Sequence, residues 1–159
     1  MRVLKDRKLR VCFAASSGGH LAELMMLCPL MEQYDSFLVT EKTAYRSAAE
    51  GMRCYYLLQV NRREVSFFPR LLVNALRSLR ICLAERPDVV VCTGVLVTVP
   101  LCLLCKLFKK KLVFIESYAK VERPTLTGKL LYPFADRFYI QWGELLEFYP
   151  KAVCVGGVF

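Results

Sequence analysis

Residues 89–105 read VVVCTGVLVTVPLCLLC, seventeen positions without a charge. The run has two readings, and the choice between them decides the fold. A membrane-spanning helix needs about 17–25 apolar residues, so the run only reaches the lower limit. Thr93-Gly94 and Pro100 interrupt it. The β-branched VVV before Gly94 suits a buried strand, and the leucines after Pro100 suit a helix. We therefore read strand, turn and helix, the repeating unit of an α/β domain.

The same unit recurs on both sides. Residues 9–15 (LRVCFAA) predict a buried strand that runs into the turn Ser16-Ser17-Gly18-Gly19. Apolar positions Leu21, Leu24, Met25, Cys28 and Met31 predict a helix over 20–34. Further strands are expected at 36–40, 53–58, 88–93, 111–116, 137–141 and 152–155. Helices are expected at 66–85, 96–108, 127–134 and 142–148, with a short one around 43–50. This alternation predicts an α/β fold: a Rossmann-like parallel sheet with helices on both faces. No repeat or linker divides the chain, so residues 1–159 read as a single domain.

Composition narrows the function. With 55% apolar and 23% charged residues over 159 positions, disordered classes are excluded. Lys and Arg number 23 against 14 Asp and Glu, a net +9. That surplus points to a polyanion: nucleic acid, an anionic membrane or a phosphorylated substrate. No nucleic-acid-binding motif accompanies the charge, which sets nucleic acid aside. The eight cysteines lie mostly in apolar segments and read as reduced small hydrophobes. Cys102 and Cys105 form a C-x-x-C without a second cysteine pair or a histidine cluster, so no metal is expected. The basic start leads into only five apolar residues, which predicts no signal peptide and a cytoplasmic chain.

Candidate chemistry gathers after the strands. Ser16, Ser17, Gly18, Gly19 and His20 follow the first strand, where α/β sheets bind ligands. Glycines there let backbone N–H groups approach an anion, and His20 could donate to it. A plain turn carrying a surface histidine is the alternative. Thr93 and Gly94 follow the fourth strand; Glu116, Ser117 and Tyr118 follow the fifth, with Arg123 shortly after. Glu116 could bind sugar hydroxyls or act as a base; a salt bridge or a helix cap is the alternative. Glu41 ends the second strand, where an acid would hold a ribose, but G-x-G-x-x-G and P-loop patterns are both absent. No cofactor is expected.

Helix 66–85 carries two faces. Phe68, Leu72, Leu76, Leu79 and Leu83 form a stripe expected in the core, with Ser66 as N-cap. On the other side Arg70, Arg77 and Arg80 interleave with Phe67, Val73 and Ile81, and Arg62-Arg63 precede them. That basic face reads either as solvated or as a membrane-surface face. Each basic residue near an anionic leaflet adds only ~1 kcal/mol, so several must act together. The chain ends in the uncharged Val155, Gly156, Gly157, Val158 and Phe159. An apolar end predicts docking, on this domain or on a partner.

Several of these motifs together resemble a known family. They are Ser17-Gly18-Gly19-His20-Leu21-Ala22-Glu23, Thr93-Gly94 through Pro100, Phe114-Ile115-Glu116-Ser117-Tyr118, residues 127–133 (TGKLLYP), Ala135-Asp136-Arg137-Phe138, Gln141-Trp142 and Tyr149-Pro150-Lys151-Ala152. The chain resembles oligosaccharide-biosynthesis proteins related to the membrane-recruiting subunit of the dolichol-linked N-acetylglucosaminyltransferase. PssD- and CpsF-type capsule and exopolysaccharide proteins are the bacterial versions. The resemblance implies the N-terminal half of a GT-B glycosyltransferase, which engages a lipid-linked saccharide acceptor. It further implies a heterodimer with a small nucleotide-sugar-binding subunit. Ser16 to His20, with Thr93 and Gly94, would face the acceptor diphosphate, and His20 and Glu116 would be the catalytic candidates. Ser117, Tyr118 and Arg123 would line the acceptor cleft, and the apolar tail would meet the partner. The full-length enzymes carry more glycine in the first loop and a second glycine soon after Gly94. Eukaryotic relatives begin with a transmembrane helix; here the expectation is peripheral contact with the cytoplasmic face of the cell membrane.

Length supports half an enzyme independently, because a two-lobed transferase needs two cores. Two other readings are a complete small nucleotide-binding enzyme, and a non-catalytic membrane scaffold for another transferase.

Overall fold

The computed structural model describes residues 7–42, 51–61 and 63–157. The expected helix at 43–50, Arg62, Val158 and Phe159 lie outside the described residues. The described residues form seven strands: β1 (Arg10–Ala14), β2 (Asp35–Glu41), β3 (Arg53–Leu57), β4 (Val89–Cys92), β5 (Lys111–Ile115), β6 (Arg137–Ile140) and β7 (Val153–Cys154). They pair in parallel in the order β3-β2-β1-β4-β5-β6-β7. β1 lies between β2 and β4, with Val11 opposite both Ser36 and Val89.

Helices cover both faces. α1 (Gly19–Met25) and α2 (Cys28–Met31) pack Leu24 and Met31 on one side with Phe13 and Leu38. α3 (Phe67–Glu85), α4 (Val99–Leu107) and α5 (Leu126–Leu131) cover the other, over Phe37, Leu112, Phe114 and Phe138. The expected continuous helix over 20–34 is broken in two. Pro29 stands in the first turn of α2, where its missing N–H is harmless; further inside a helix it would remove a bond and clash. α3 ends at Arg86, held at φ 48° just before Pro87.

The expected burial of α3 is inverted. Phe68, Leu72, Leu76 and Leu83 are exposed, Phe68 by 75%, and Leu79 is half-buried. Facing the sheet instead are Asn74, Ser78, Ile81, Cys82 and Glu85. Polar groups are tolerated there because most find partners. Asn74 accepts from the Leu58 N–H at 2.7 Å and donates to the Leu58 carbonyl at 2.8 Å, closing the open end of β3. Glu85 meets Arg53 and Tyr55. Ser66 does stand at the N-cap, but its hydroxyl donates to Glu64 rather than serving the helix.

The amino edge of the sheet is fastened by charge. Asp35 pairs with Arg10 at 2.6 Å and also with Arg53; Asp136 pairs with Lys106 and Lys111 at 2.6 and 2.9 Å. The hydrogen bond from Arg10 holds the Asp35 carboxyl below its ordinary range. Burial pushes Asp136 up, but donors from Lys106, the Leu112 N–H and Lys111 outweigh it, and the net shift is downward. All eight cysteines are free thiols, and only Cys154 is exposed. Among the described residues no helix is long and apolar enough to cross a membrane.

Candidate active site

β1 and β4 are neighbours whose connections leave in opposite directions along the sheet. Such a switch point opens a crevice at the carboxyl ends of the strands. His20, in the first turn of α1, reaches across it. Its Nδ1 lies 2.9 Å from the Thr93 carbonyl oxygen, and the Thr93 hydroxyl donates to the His20 carbonyl at 2.9 Å. A carbonyl oxygen only accepts, so Nδ1 carries a proton, and in the neutral ring Nε2 is the acceptor. His20 lines a recess of about 280 Å³ together with Val95, Leu96, Lys120, Thr125 and Thr127.

Both glycine loops bound the crevice. Gly18 caps α1 at φ 78°, and no atom stands within 4 Å of where a Cβ would sit at Gly18 or Gly19. That space is open to a ligand. Glu41 pins the loop by accepting from the Ser17 N–H at 3.4 Å and its hydroxyl at 3.1 Å; this is its role in place of a ribose acid. Ser16 is buried, and its hydroxyl donates to the Ser17 carbonyl. In the second loop Gly94 has φ 114° and lies against His20: a Cβ there would stand 3.4 Å from the imidazole Cε1. Val95 has φ 83°, the left-handed region that a β-branched residue rarely enters. Holding it there costs about 1–3 kcal/mol, a strain that concentrates at functional sites. Thr98 holds the loop by donating to the Val95 carbonyl at 2.7 Å.

Glu116 is not poised for substrate, contrary to the expectation of a catalytic carboxylate. It is 1% exposed, and both of its oxygens are engaged. They accept from the Ser117 N–H, from the Thr125 N–H and hydroxyl, and from Tyr149 Oη at 2.8 Å. Thr125 in turn caps α5 by accepting from the Gly128 N–H at 2.9 Å. Glu116 is therefore a positioning residue: it fixes the 124–127 loop that walls the His20 recess. Burial and the Glu116 carboxylate push the Tyr149 hydroxyl well above its ordinary pKa, so it stays a donor. A Cβ on Gly128 would collide with Glu116 and Tyr149.

Glu23 and Lys120 are site residues that the sequence did not single out. Glu23, one turn beyond His20, is buried and accepts from the Tyr118 N–H at 2.9 Å and from Gln141. Burial raises its pKa against those two donors. It ties α1 to the ends of β5 and β6. The spacing of three from His20 was the available signal. Lys120 lies in an irregular loop, where no periodicity marks it.

The remaining candidates fall in three places. Ser117 is buried; Tyr118 is exposed and packs on Trp142 at 5.0 Å, with the indole N–H donating to its carbonyl. Arg123 is exposed and outside the recess lining. On α3, Arg70 and Arg77 donate to the Gln59 and Tyr56 carbonyls, and Phe67 rests edge-on against Phe68. Arg63 and Arg80 are exposed. The outward apolar surface belongs instead to the leucine stripe, joined by Leu103, Leu107 and Phe108 of the α4 end. Val155 donates its N–H to the Ile140 carbonyl at 3.0 Å, continuing the β6–β7 pairing, while Val155, Gly156 and Gly157 remain exposed.

Known proteins share this architecture. MurG from Acinetobacter baumannii superposes with a TM-score of 0.67 at 17% identity, over 83% of this chain and 41% of MurG. UDP-GlcNAc 2-epimerase from Neisseria meningitidis superposes at 0.70 and 11%, over 94% of this chain and 47% of the enzyme. The chain thus spans less than half of these enzymes and shares the Rossmann-like α/β fold of one lobe. The human UDP-N-acetylglucosamine transferase subunit ALG14 is 28% identical over 187 aligned positions, covering 99% of this chain and 87% of the human protein. The Schizosaccharomyces pombe subunit is 43% identical over 75 positions, 44% of this chain and 36% of its own length. The model of the family described as "Oligosaccharide biosynthesis protein Alg14 like" matches residues 11–158. The chain belongs to this Alg14-like family of oligosaccharide-biosynthesis proteins.

Proposed function

We propose that this chain is the acceptor-binding, membrane-associating subunit of a two-component glycosyltransferase. The complex would move a sugar from a UDP-sugar to a lipid-diphosphate-linked saccharide. UDP-N-acetylglucosamine is the donor favoured by the human and S. pombe relatives, which are named as subunits of a transferase that uses it. The resemblance to capsule and exopolysaccharide proteins supplies one setting for the product polysaccharide.

One observation carries the reading: His20 is fixed through Nδ1 at the switch point, with Nε2 not engaged by that bond and a recess that holds Lys120 beside the ring. Nε2 can accept the proton of an acceptor hydroxyl as its oxygen bonds to the anomeric carbon and UDP leaves. Lys120 and the open glycine loop suit the acceptor diphosphate. Gly18 to His20, with Thr93 and Gly94, are the proposed diphosphate loops; Glu116 acts through the loop it holds. The donor half is proposed to come from a small nucleotide-sugar-binding partner, with the 155–159 tail at the interface. The exposed Leu76 and Leu83 of α3, rather than its arginines alone, are proposed to rest in an anionic leaflet at the cytoplasmic side. No cofactor is invoked.

Equilibrium binding to the isolated chain tests this division of labour. We expect a lipid-diphosphate-linked N-acetylglucosamine to bind and UDP-N-acetylglucosamine to bind at least a hundredfold more weakly. The reverse order would make the chain a nucleotide-binding domain and overturn the reading.

A further inference from the structure

A groove of about 450 Å³ runs between α3 and α4, within the ~300–1,000 Å³ range of ligand sites. Phe68, Leu72 and Ala75 form one wall; Leu96, Pro100 and Leu103 form much of the other. Every lining side chain is apolar. Leu96 also lines the His20 recess, so the two hollows adjoin through one residue. The recess is polar and carries Lys120 and His20. The pair therefore complements an amphiphile with an anionic head and a hydrocarbon tail.

The groove is not a by-product of core packing. α3 turns Asn74, Ser78 and Glu85 to the sheet and leaves its phenylalanine and leucines outside. The helix thereby trades inward apolar contact for an outward apolar wall, beside the hollow that contains the switch-point histidine.

We propose that this groove seats the proximal hydrocarbon chain of the acceptor itself, while the recess holds its diphosphate. The inference rests on the acceptor reading above and adds a second recognition element: the chain is read as well as the head. Each buried methylene contributes about fourfold in affinity, so a few units outweigh a head group that water also solvates.

The test uses farnesyl diphosphate below its micelle concentration and inorganic pyrophosphate, titrated against the full chain in solution without a bilayer. The expected result is farnesyl diphosphate binding at least a hundredfold more tightly than pyrophosphate. Ala75→Phe, which fills the groove from a half-buried position, should cut that advantage below tenfold. Retention of pyrophosphate affinity within twofold would show that the variant is folded. Equal affinity of the two ligands, or an unchanged ratio in Ala75→Phe, overturns the groove and leaves the diphosphate site standing. Displacement of farnesyl diphosphate by dihexanoyl phosphatidylcholine at matched concentration would assign the groove to bilayer lipid and also overturn it. Binding of neither diphosphate would sink the acceptor reading, and this inference with it.

Discussion

His20 holds one ring nitrogen against the Thr93 carbonyl, and the proposed chemistry falls to the other. His20→Asn keeps a donor for the Thr93 carbonyl and removes Nε2. The transferase complex should lose about 10²–10⁴-fold in kcat, with KM changed only a few-fold. A rise in KM at unchanged kcat would instead make His20 a binding group. Gly128→Ala pushes a methyl into Glu116 and Tyr149, overpacking that should cost about 1–3 kcal/mol in a denaturant titration; an unchanged midpoint would contradict the tight Glu116 cluster. At this scale the sequence was half legible. The glycine turn and His20 stood out because turn chemistry and a lone titratable ring are local features. Glu116 was visible as an acid after a strand, but its four donors come from residues 117, 125 and 149. Sequence order does not reveal such a convergence, and neither the catalytic reading nor the salt-bridge and helix-cap alternatives named it.

At the scale of elements, α3 is the instructive case. Its leucine spacing states that one face is apolar, not which way that face points. Orientation was decided by Asn74, whose amide closes the end of β3 with two hydrogen bonds, and by Glu85, which meets Arg53 and Tyr55. These partners lie elsewhere in the chain and leave no trace in periodicity. The inversion makes a clear prediction. Leu76→Asp, at an exposed site, should change stability by no more than about 0.5 kcal/mol. Binding to vesicles containing anionic lipid should fall at least tenfold, since burying a leucine is worth about 1.5–3 kcal/mol. A core position would show the opposite: collapse of the fold. Strand positions, by contrast, were legible because buried parallel strands are short apolar runs bounded by turns. The break at Pro29 was missed, since apolar spacing continues across it, and the helix expected at 142–148 is a short 3₁₀ segment, Gly143–Glu147.

For the molecule as a whole, the two sheet edges divide the labour: ion pairs fasten the amino edge and the open loops occupy the carboxyl edge. Asp35 and Asp136 have depressed pKa values in the fold. Their contribution is fully present above the unfolded aspartate pKa of about 3.9 and is lost as pH falls through the lower folded values. Melting temperature should therefore drop below about pH 4, and Asp136→Asn should lower it at pH 7 while flattening part of that acid limb. An acid limb unchanged by the substitution would remove Asp136 from the account. The α/β alternation was readable from the whole sequence; the seven-strand order of the described residues needed the structure. The most direct test of the central claim is a transferase assay in membranes with UDP-N-acetylglucosamine and a lipid-diphosphate-linked acceptor. It compares this chain, the proposed nucleotide-sugar-binding partner, and both together. The account predicts activity only when both are present, and its loss with His20→Asn. Full activity from the partner alone, or from this chain alone, would contradict it.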